Sequence, residues 1–145
     1  MNRRELLIGA AALAAAATTQ QALAAGHDHA AMHHGHAMNN RLIEAAADCV
    51  SKAQLCLQHC LVSLGRGETD LAACARSSSQ VEAICSALQS LAASNAKQLP
   101  QLARVAMDIC KECEEECKKT EKHPECKACK EACAACYEEC RKIAA

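Results

Sequence analysis

The sequence CKECEEECKKTEKHPECKACKEACAACYEEC, from Cys110 to Cys140, contains two cysteine-rich segments. Within each segment, the gaps between neighbouring cysteines alternate between three and four residues. These steps return to the same face of an α-helix. Pro124 lies between the segments and can begin a helix. The stretch therefore predicts two adjacent helices, each with an inward face lined by sulfur.

The rest of the chain continues this pattern in two further helical segments. We predict helices over about 41–64, 70–93, 100–120 and 124–144. Asn39 or Asn40 is the expected N-cap of the first helix, and Gly65-Arg66-Gly67 ends it. Short connections between helices of ~20 residues imply antiparallel neighbours. The predicted fold is all-α, an up-down-up-down antiparallel four-helix bundle with a cysteine-lined core.

Each predicted helix has an inward stripe with the seam spacing of packed helices. The stripes are Leu42, Ala46, Cys49, Ala53, Cys56, Cys60 and Ser63; Leu71, Cys74, Ser78, Val81, Cys85, Leu88 and Ala92; Leu99, Ala103, Ala106, Cys110, Cys113, Cys117 and Thr120; and Cys126, Cys129, Cys133, Cys136, Cys140 and Ile143. All thirteen cysteines fall on these stripes, and we predict them as metal ligands: Cys49, Cys56, Cys60, Cys74, Cys85, Cys110, Cys113, Cys117, Cys126, Cys129, Cys133, Cys136 and Cys140.

The composition limits the function classes. Aromatic residues make up only 1% of the chain, so Leu, Ala, Val, Ile and Cys must fill the core. The net charge is −1, and there is no basic stripe, which argues against nucleic-acid binding. The stripes carry no carboxylate pair and no nucleophile–base–orienter set, so we do not predict an enzyme.

The N-terminal region has the features of an export signal. Arg3 and Arg4 precede Leu6 and Leu7, and a short Ala-rich run leads to Ala22-Leu23-Ala24. We predict residues 1–25 as an export signal of the twin-arginine type, 26–39 as a disordered His/Met-rich tail and 40–145 as the bundle. The predicted location is the periplasm, with no membrane span in the mature chain.

Four chemistries compete for the thiols. Thiolate selects Cu(I), and one ion per thiolate gives a neutral core. A four-thiolate Zn(II) site carries a net −2 charge, which is costly to bury. Disulfides suit an exported protein, but thirteen is an odd number. An iron–sulfur or redox enzyme lacks its usual sequence context.

The antiparallel arrangement gives the predicted core two different ends. One end gathers Cys60, Cys74, Cys117 and Cys126, and the other gathers Leu42, Leu88, Leu99, Leu102 and Ile143. We therefore expect a thiol-lined tube that is closed by aliphatic residues at one end and open at the other. His59 lies near the open end and is a further candidate metal ligand. His123 lies there too, as the expected cap of the fourth helix.

The export signal, the His/Met tail and the four cysteine-lined helices resemble the bacterial copper storage proteins. The most recognisable part is the Cys110–Cys140 stretch quoted above, and the resemblance covers the chain from about Asn40 to Ala145. It implies many Cu(I) ions held by the cysteines inside the bundle, and a homo-oligomer, with a tetramer expected. It also implies supply of copper to enzymes such as methane monooxygenase. Copper detoxification, a zinc-thiolate protein and a disulfide-stapled scaffold remain alternatives.

Overall fold

The computed structural model describes residues 29–145, with side chains from Asn39 onward. Within these residues the chain forms four long helices: α1 (His29–Gly65), α2 (Ala72–Ala93), α3 (Leu99–Lys119) and α4 (Pro124–Ala144). A short 3₁₀ turn, Thr69–Leu71, precedes α2. The predicted helix order is confirmed. The predicted export signal lies outside the described residues.

The helices pack in a ring in chain order. α1 packs against α2, α2 against α3 and α3 against α4, and α4 closes the ring against α1. Connections of a few residues reverse the chain between neighbours, which confirms the antiparallel four-helix bundle.

The inward stripes predicted from the spacing form the core. Every stripe residue of the first three helices is buried, as are all five stripe cysteines of α4. Only Ile143 remains partly exposed, because it lies in the last turn of α4. Ala75, Ser77 and Ala132 lie off the stripes and are also buried.

The start of the first helix differs from the prediction. The helix extends back to His29, rather than beginning near Arg41 after a disordered tail. Ala and Met are good helix formers, and residues 29–38 contain three alanines and two methionines. Asn39 is therefore inside α1 and does not cap it. Its side-chain amide instead donates hydrogen bonds to the Ala92 carbonyl at 3.3 Å and to Asn95 Oδ1 at 2.7 Å, which ties α1 to the end of α2.

The turns occur where the sequence indicates them. α1 ends at Gly65, and Gly67 has a φ of 93°, a conformation that side chains disfavour. Asn95 ends the α2 region with a φ of 50°, which Asn tolerates better than most residues. Pro100 and Pro124 lie in the first turns of α3 and α4, where no backbone N–H is needed. None of the described helices has the length and apolarity needed to cross a membrane.

Candidate metal centre

All thirteen cysteines are free, and all lie inside the bundle. Twelve have no exposed surface, and Cys74 is 1% exposed. The helices bring their sulfurs close together across the core: Cys74 and Cys117 are 3.3 Å apart, Cys56 and Cys74 3.5 Å, and Cys85 and Cys136 3.7 Å. The predicted cysteines therefore form one buried sulfur network with sulfurs from all four helices.

Twelve of the cysteines belong to groups whose sulfur atoms all lie within 4.8 Å of one another. One group takes one cysteine from each helix, and another lies at the opposite end of the sulfur network. Two groups of three lie between them. The groups are Cys49, Cys85, Cys110 and Cys136; Cys56, Cys60, Cys74 and Cys126; Cys56, Cys117 and Cys129; and Cys113, Cys129 and Cys133. Cys140 is outside these groups and is one helical turn from Cys136.

Several buried thiols of the core favour the protonated form. Burial, followed by the neighbouring sulfurs of Cys74 and Cys126, raises the pKa of Cys60. Hydrogen bonding to Cys110 is the main effect that raises the pKa of Cys133. Cys110 accepts this hydrogen bond, which stabilises its thiolate and lowers its pKa to about 6. Because a bound metal must displace these protons, metal binding here depends on pH.

Two histidines lie together at the end of the network that contains Cys60 and Cys126. The rings of His59 and His123 are 4.6 Å apart between centroids. His59 Nδ1 is 3.5 Å from Glu125 Oε2, whereas the Nε2 atoms of both histidines are buried without a hydrogen-bond partner among the described residues. His123 occupies the N-cap position of α4, as predicted, but its side chain makes no capping hydrogen bond.

The expected opening at this histidine end is closed. Leu71 is fully buried, and Ser63 and Thr120 are 3% and 4% exposed. Ser63 follows Cys60 and Thr120 follows Cys117 by three residues, whereas Leu71 precedes Cys74 by three residues, so all three lie beyond the last cysteines at this end. The 3₁₀ turn before α2 places Leu71 in this position. The prediction of the opposite, aliphatic end is confirmed, since Leu42 and Leu88 are fully buried there.

Two hydroxyl side chains contact the sulfur network and were not predicted as functional. Ser78 Oγ is 3.9 Å from the sulfur of Cys129. Thr120 bonds to the Cys117 carbonyl at 3.3 Å, and its hydroxyl also lowers the pKa of Cys74 after the larger effects of Cys117, Cys126 and Cys56. In the sequence, only their positions on the inward stripes point to these two residues. A stripe position does not distinguish a hydroxyl that donates a hydrogen bond from a small side chain that fills space in the core.

A buried network of free thiols in a four-helix bundle defines a cysteine-rich metal-binding protein with the ligands inside the fold. The model of the copper storage protein family matches residues 35–145, and the chain belongs to this family. The chain is also similar to apo copper storage protein 3 from Bacillus subtilis, with 30% identity, 73% of this chain and 98% of that chain covered, and a TM-score of 0.65.

The chain resembles the Cu(I)-bound copper storage protein BsCsp3 to the same degree, with 29% identity, 74% and 99% coverage and a TM-score of 0.67. A comparison with curated proteins found no match. The family assignment confirms the copper storage function, and the cysteines are positioned to bind metal in the core.

Proposed function

We propose that this protein holds many Cu(I) ions in its core, about one per cysteine, with the thirteen thiolates as ligands. The observation that carries this proposal is the single network of buried free sulfurs, with neighbours 3.3 to 3.8 Å apart. Each thiol that binds loses one proton, and each Cu(I) restores one positive charge. With one Cu(I) per thiolate, the filled core therefore carries no net charge.

The charge of the core also favours Cu(I) over zinc. The buried polar side chains among the described residues are all hydroxyls: Ser63, Ser77, Ser78 and Thr120. A four-thiolate Zn(II) site would leave a net −2 charge with no buried cation to offset it. Only two of the cysteine groups contain four sulfurs, so zinc would leave Cys113, Cys117, Cys129, Cys133 and Cys140 without a complete site.

An anaerobic Cu(I) titration of the reduced protein against a competing chelator, with thiols counted in parallel, tests this proposal. We expect uptake of roughly thirteen ions per chain, because one ion per thiolate keeps the core neutral. Uptake of one or two ions, with most thiols oxidised on isolation, would instead support the disulfide-stapled bundle. Saturation at about two Zn(II) in the same assay would favour the zinc alternative.

His59 is proposed as an additional ligand at the histidine end. It directly precedes Cys60, and its Nε2 atom is buried without a partner in the described structure. His59→Ala should slow uptake from chelated Cu(I) and lower saturation by about one ion at most, because imidazole also binds copper. His123→Ala is the matched control for loss of the ring contact. Equal uptake by wild type and His59→Ala would remove His59 from the ligand set.

We also propose that the protein is exported to the periplasm, does no catalysis and stores copper for delivery to a copper enzyme such as methane monooxygenase. The Arg3-Arg4 pair and the Ala-rich run support export. Fractionation of cells that produce the full chain, and of cells that produce Arg3→Lys/Arg4→Lys, tests the twin-arginine route. Growth of cells that lack the protein separates detoxification from supply. Loss of a detoxification protein should impair growth in excess copper, whereas loss of a supply protein should matter when copper is scarce.

A homo-oligomer, with a tetramer expected, is the last part of the proposal. The exposed face of α1 from Gln54 to Gly65 contains no Lys, Arg, Asp or Glu, and Leu55, Leu61 and Val62 are each about half exposed on it. A face without charge can pack against the same face of a second copy, because no like charges then meet. Leu55→Glu should shift the sedimentation coefficient towards the monomer, whereas Glu44→Gln, on the charged part of α1, should not.

A further inference from the structure

The sulfur network has a narrow point between its two ends. We define the leucine-end quartet as Cys49, Cys85, Cys110 and Cys136, and the histidine-end set as Cys56, Cys60, Cys74, Cys113, Cys117, Cys126 and Cys129. Within the histidine-end set, six sulfur pairs lie within hydrogen-bonding distance. In the described structure, the sulfur contacts from the leucine-end quartet towards the histidine end both go to Cys133: one from Cys49, at 3.8 Å, and one from Cys110, through the hydrogen bond described above.

Cys133 faces both sides of this narrow point. Its sulfur lies within 4.8 Å of the sulfurs of Cys113 and Cys129, which belong to the histidine-end set. It also contacts Cys49, which belongs to the leucine-end quartet. Removing Cys133 would leave two sulfur groups with no sulfur contact of hydrogen-bonding range between them.

The side of the core formed by α1 and α2 offers no alternative sulfur path between the two ends. Ala53 lies between Cys49 and Cys56 on α1, and Val81 lies between Cys85 and Ser78 on α2. Both side chains are fully buried and neither can bind a metal ion. In the described structure, the sulfur path between the two ends therefore runs through Cys133 on α4.

We propose that Cys133 is the single thiolate through which Cu(I) passes between the histidine-end set and the leucine-end quartet. This inference rests on the proposed storage of many Cu(I) ions by the cysteines. In each step, Cu(I) forms a bond to the incoming sulfur and then loses its bond to the outgoing one. The copper stays Cu(I), and the proton of the incoming thiol is transferred, directly or through water, to the outgoing thiolate.

The matched variants are Cys133→Ser and Cys140→Ser. Both replace a fully buried cysteine of α4 by a residue of similar size, and both leave twelve of the thirteen thiols. The reduced proteins receive substoichiometric Cu(I), and free thiols are alkylated after increasing times and located by mass spectrometry. This readout reports which cysteines hold copper. Unfolding of a variant would not by itself produce slow movement of Cu(I) between the two ends of the sulfur network.

We expect the protection pattern of Cys140→Ser to settle as quickly as that of the wild type. Redistribution between the two ends should be at least about tenfold slower in Cys133→Ser, since the missing ligand raises the barrier of the transfer path. Equal rates in the two variants would overturn the proposal. Absence of protected thiols in the wild type would instead mean that the proposed storage function has failed.

Added thiols provide a test by rescue. Ala53→Cys places a sulfur one helical turn from both Cys49 and Cys56, and should restore fast redistribution in Cys133→Ser. Ala46→Cys, one turn before Cys49 on the same buried stripe, restores the thiol count but not the link. Rescue by both would show that thiol number matters rather than the path. If Cys133→Ser does not fold, the same two additions to the wild type apply: Ala53→Cys should speed redistribution, Ala46→Cys should not, and equal effects would overturn the proposal.

Discussion

Raising the pH from about 7.5 to about 9.5 should destabilise the copper-free bundle, because the unfolded chain releases thiol protons that the folded core retains. Cysteine thiols in an unfolded chain ionise near 8.5. In the folded protein, hydrogen bonding to Cys110 raises the pKa of Cys85 and Cys133, and hydrogen bonding to Cys136 raises the pKa of Cys140. The stability that these three thiols contribute to the fold is fully present below pH ~8.5 and is lost as the pH rises.

The size of the effect follows from the number of protons retained. At one pH unit above the unfolded pKa, each retained thiol proton costs the folded state about 1.4 kcal/mol relative to the unfolded chain. Three such thiols cost about 4 kcal/mol at pH ~9.5, a large part of the 5–15 kcal/mol typical of a small domain. Cys110, with a pKa lowered to about 6, stabilises the fold as the pH rises towards 8.5 but adds nothing further above it.

Urea unfolding of the reduced apo protein, followed by circular dichroism under anaerobic conditions, measures this effect as a fall in the midpoint between the two pH values. Between the two pH values, the free energy of unfolding of Cys140→Ala should fall by about 1.4 kcal/mol less than that of the wild type, because one retained proton is missing. The Cu(I)-loaded protein is the second control, since its thiolates carry copper instead of protons. A midpoint that is unchanged or higher at the alkaline pH, with all thiols still reduced, would refute the reasoning.

Three further predictions concern packing, a turn and acid. Leu42→Ala removes a fully buried side chain at the aliphatic end, so the free energy of unfolding should fall by about 2–5 kcal/mol while copper capacity stays unchanged. Gly67→Ala should cost about 1–2 kcal/mol in the same urea assay because its φ is 93°, whereas Gly65→Ala should cost less. Cu(I) affinity, measured by chelator competition, should weaken from neutral to acidic pH because protons compete for the thiolates, and a flat profile would argue against thiolate ligation.

The sequence was sufficient to predict the core because the cysteine spacing and the helix period coincide. Cysteines such as Cys49 and Cys117 lie on stripes that face inward in a bundle, and all thirteen cysteines are buried. The closure at the histidine end was missed because it depends on a 3₁₀ turn that places Leu71 over the sulfurs. Spacing along one helix cannot reveal such a turn.

The narrow point at Cys133 was also not visible in the sequence. On α4 it is one of five cysteines at alternating steps of three and four residues, and its special position arises from Ala53 and Val81 on the facing helices. The contact between Asn39 and Asn95 has the same origin, since it joins residues of α1 and the α2–α3 turn. Patterns within a helix predict which face is buried, whereas the partners across the core depend on how four helices align.

The distribution of sulfur suggests how the bundle can be stable both empty and full. α4 contributes five cysteines and α2 only two, and the facing positions are occupied by residues such as Ala53, Val81 and Leu88. These apolar contacts are the same whether or not copper is bound. Exchange of one proton for one Cu(I) leaves the net charge of the core unchanged, so filling does not build up buried charge. We infer that these apolar contacts maintain the fold while the cysteines exchange protons for Cu(I).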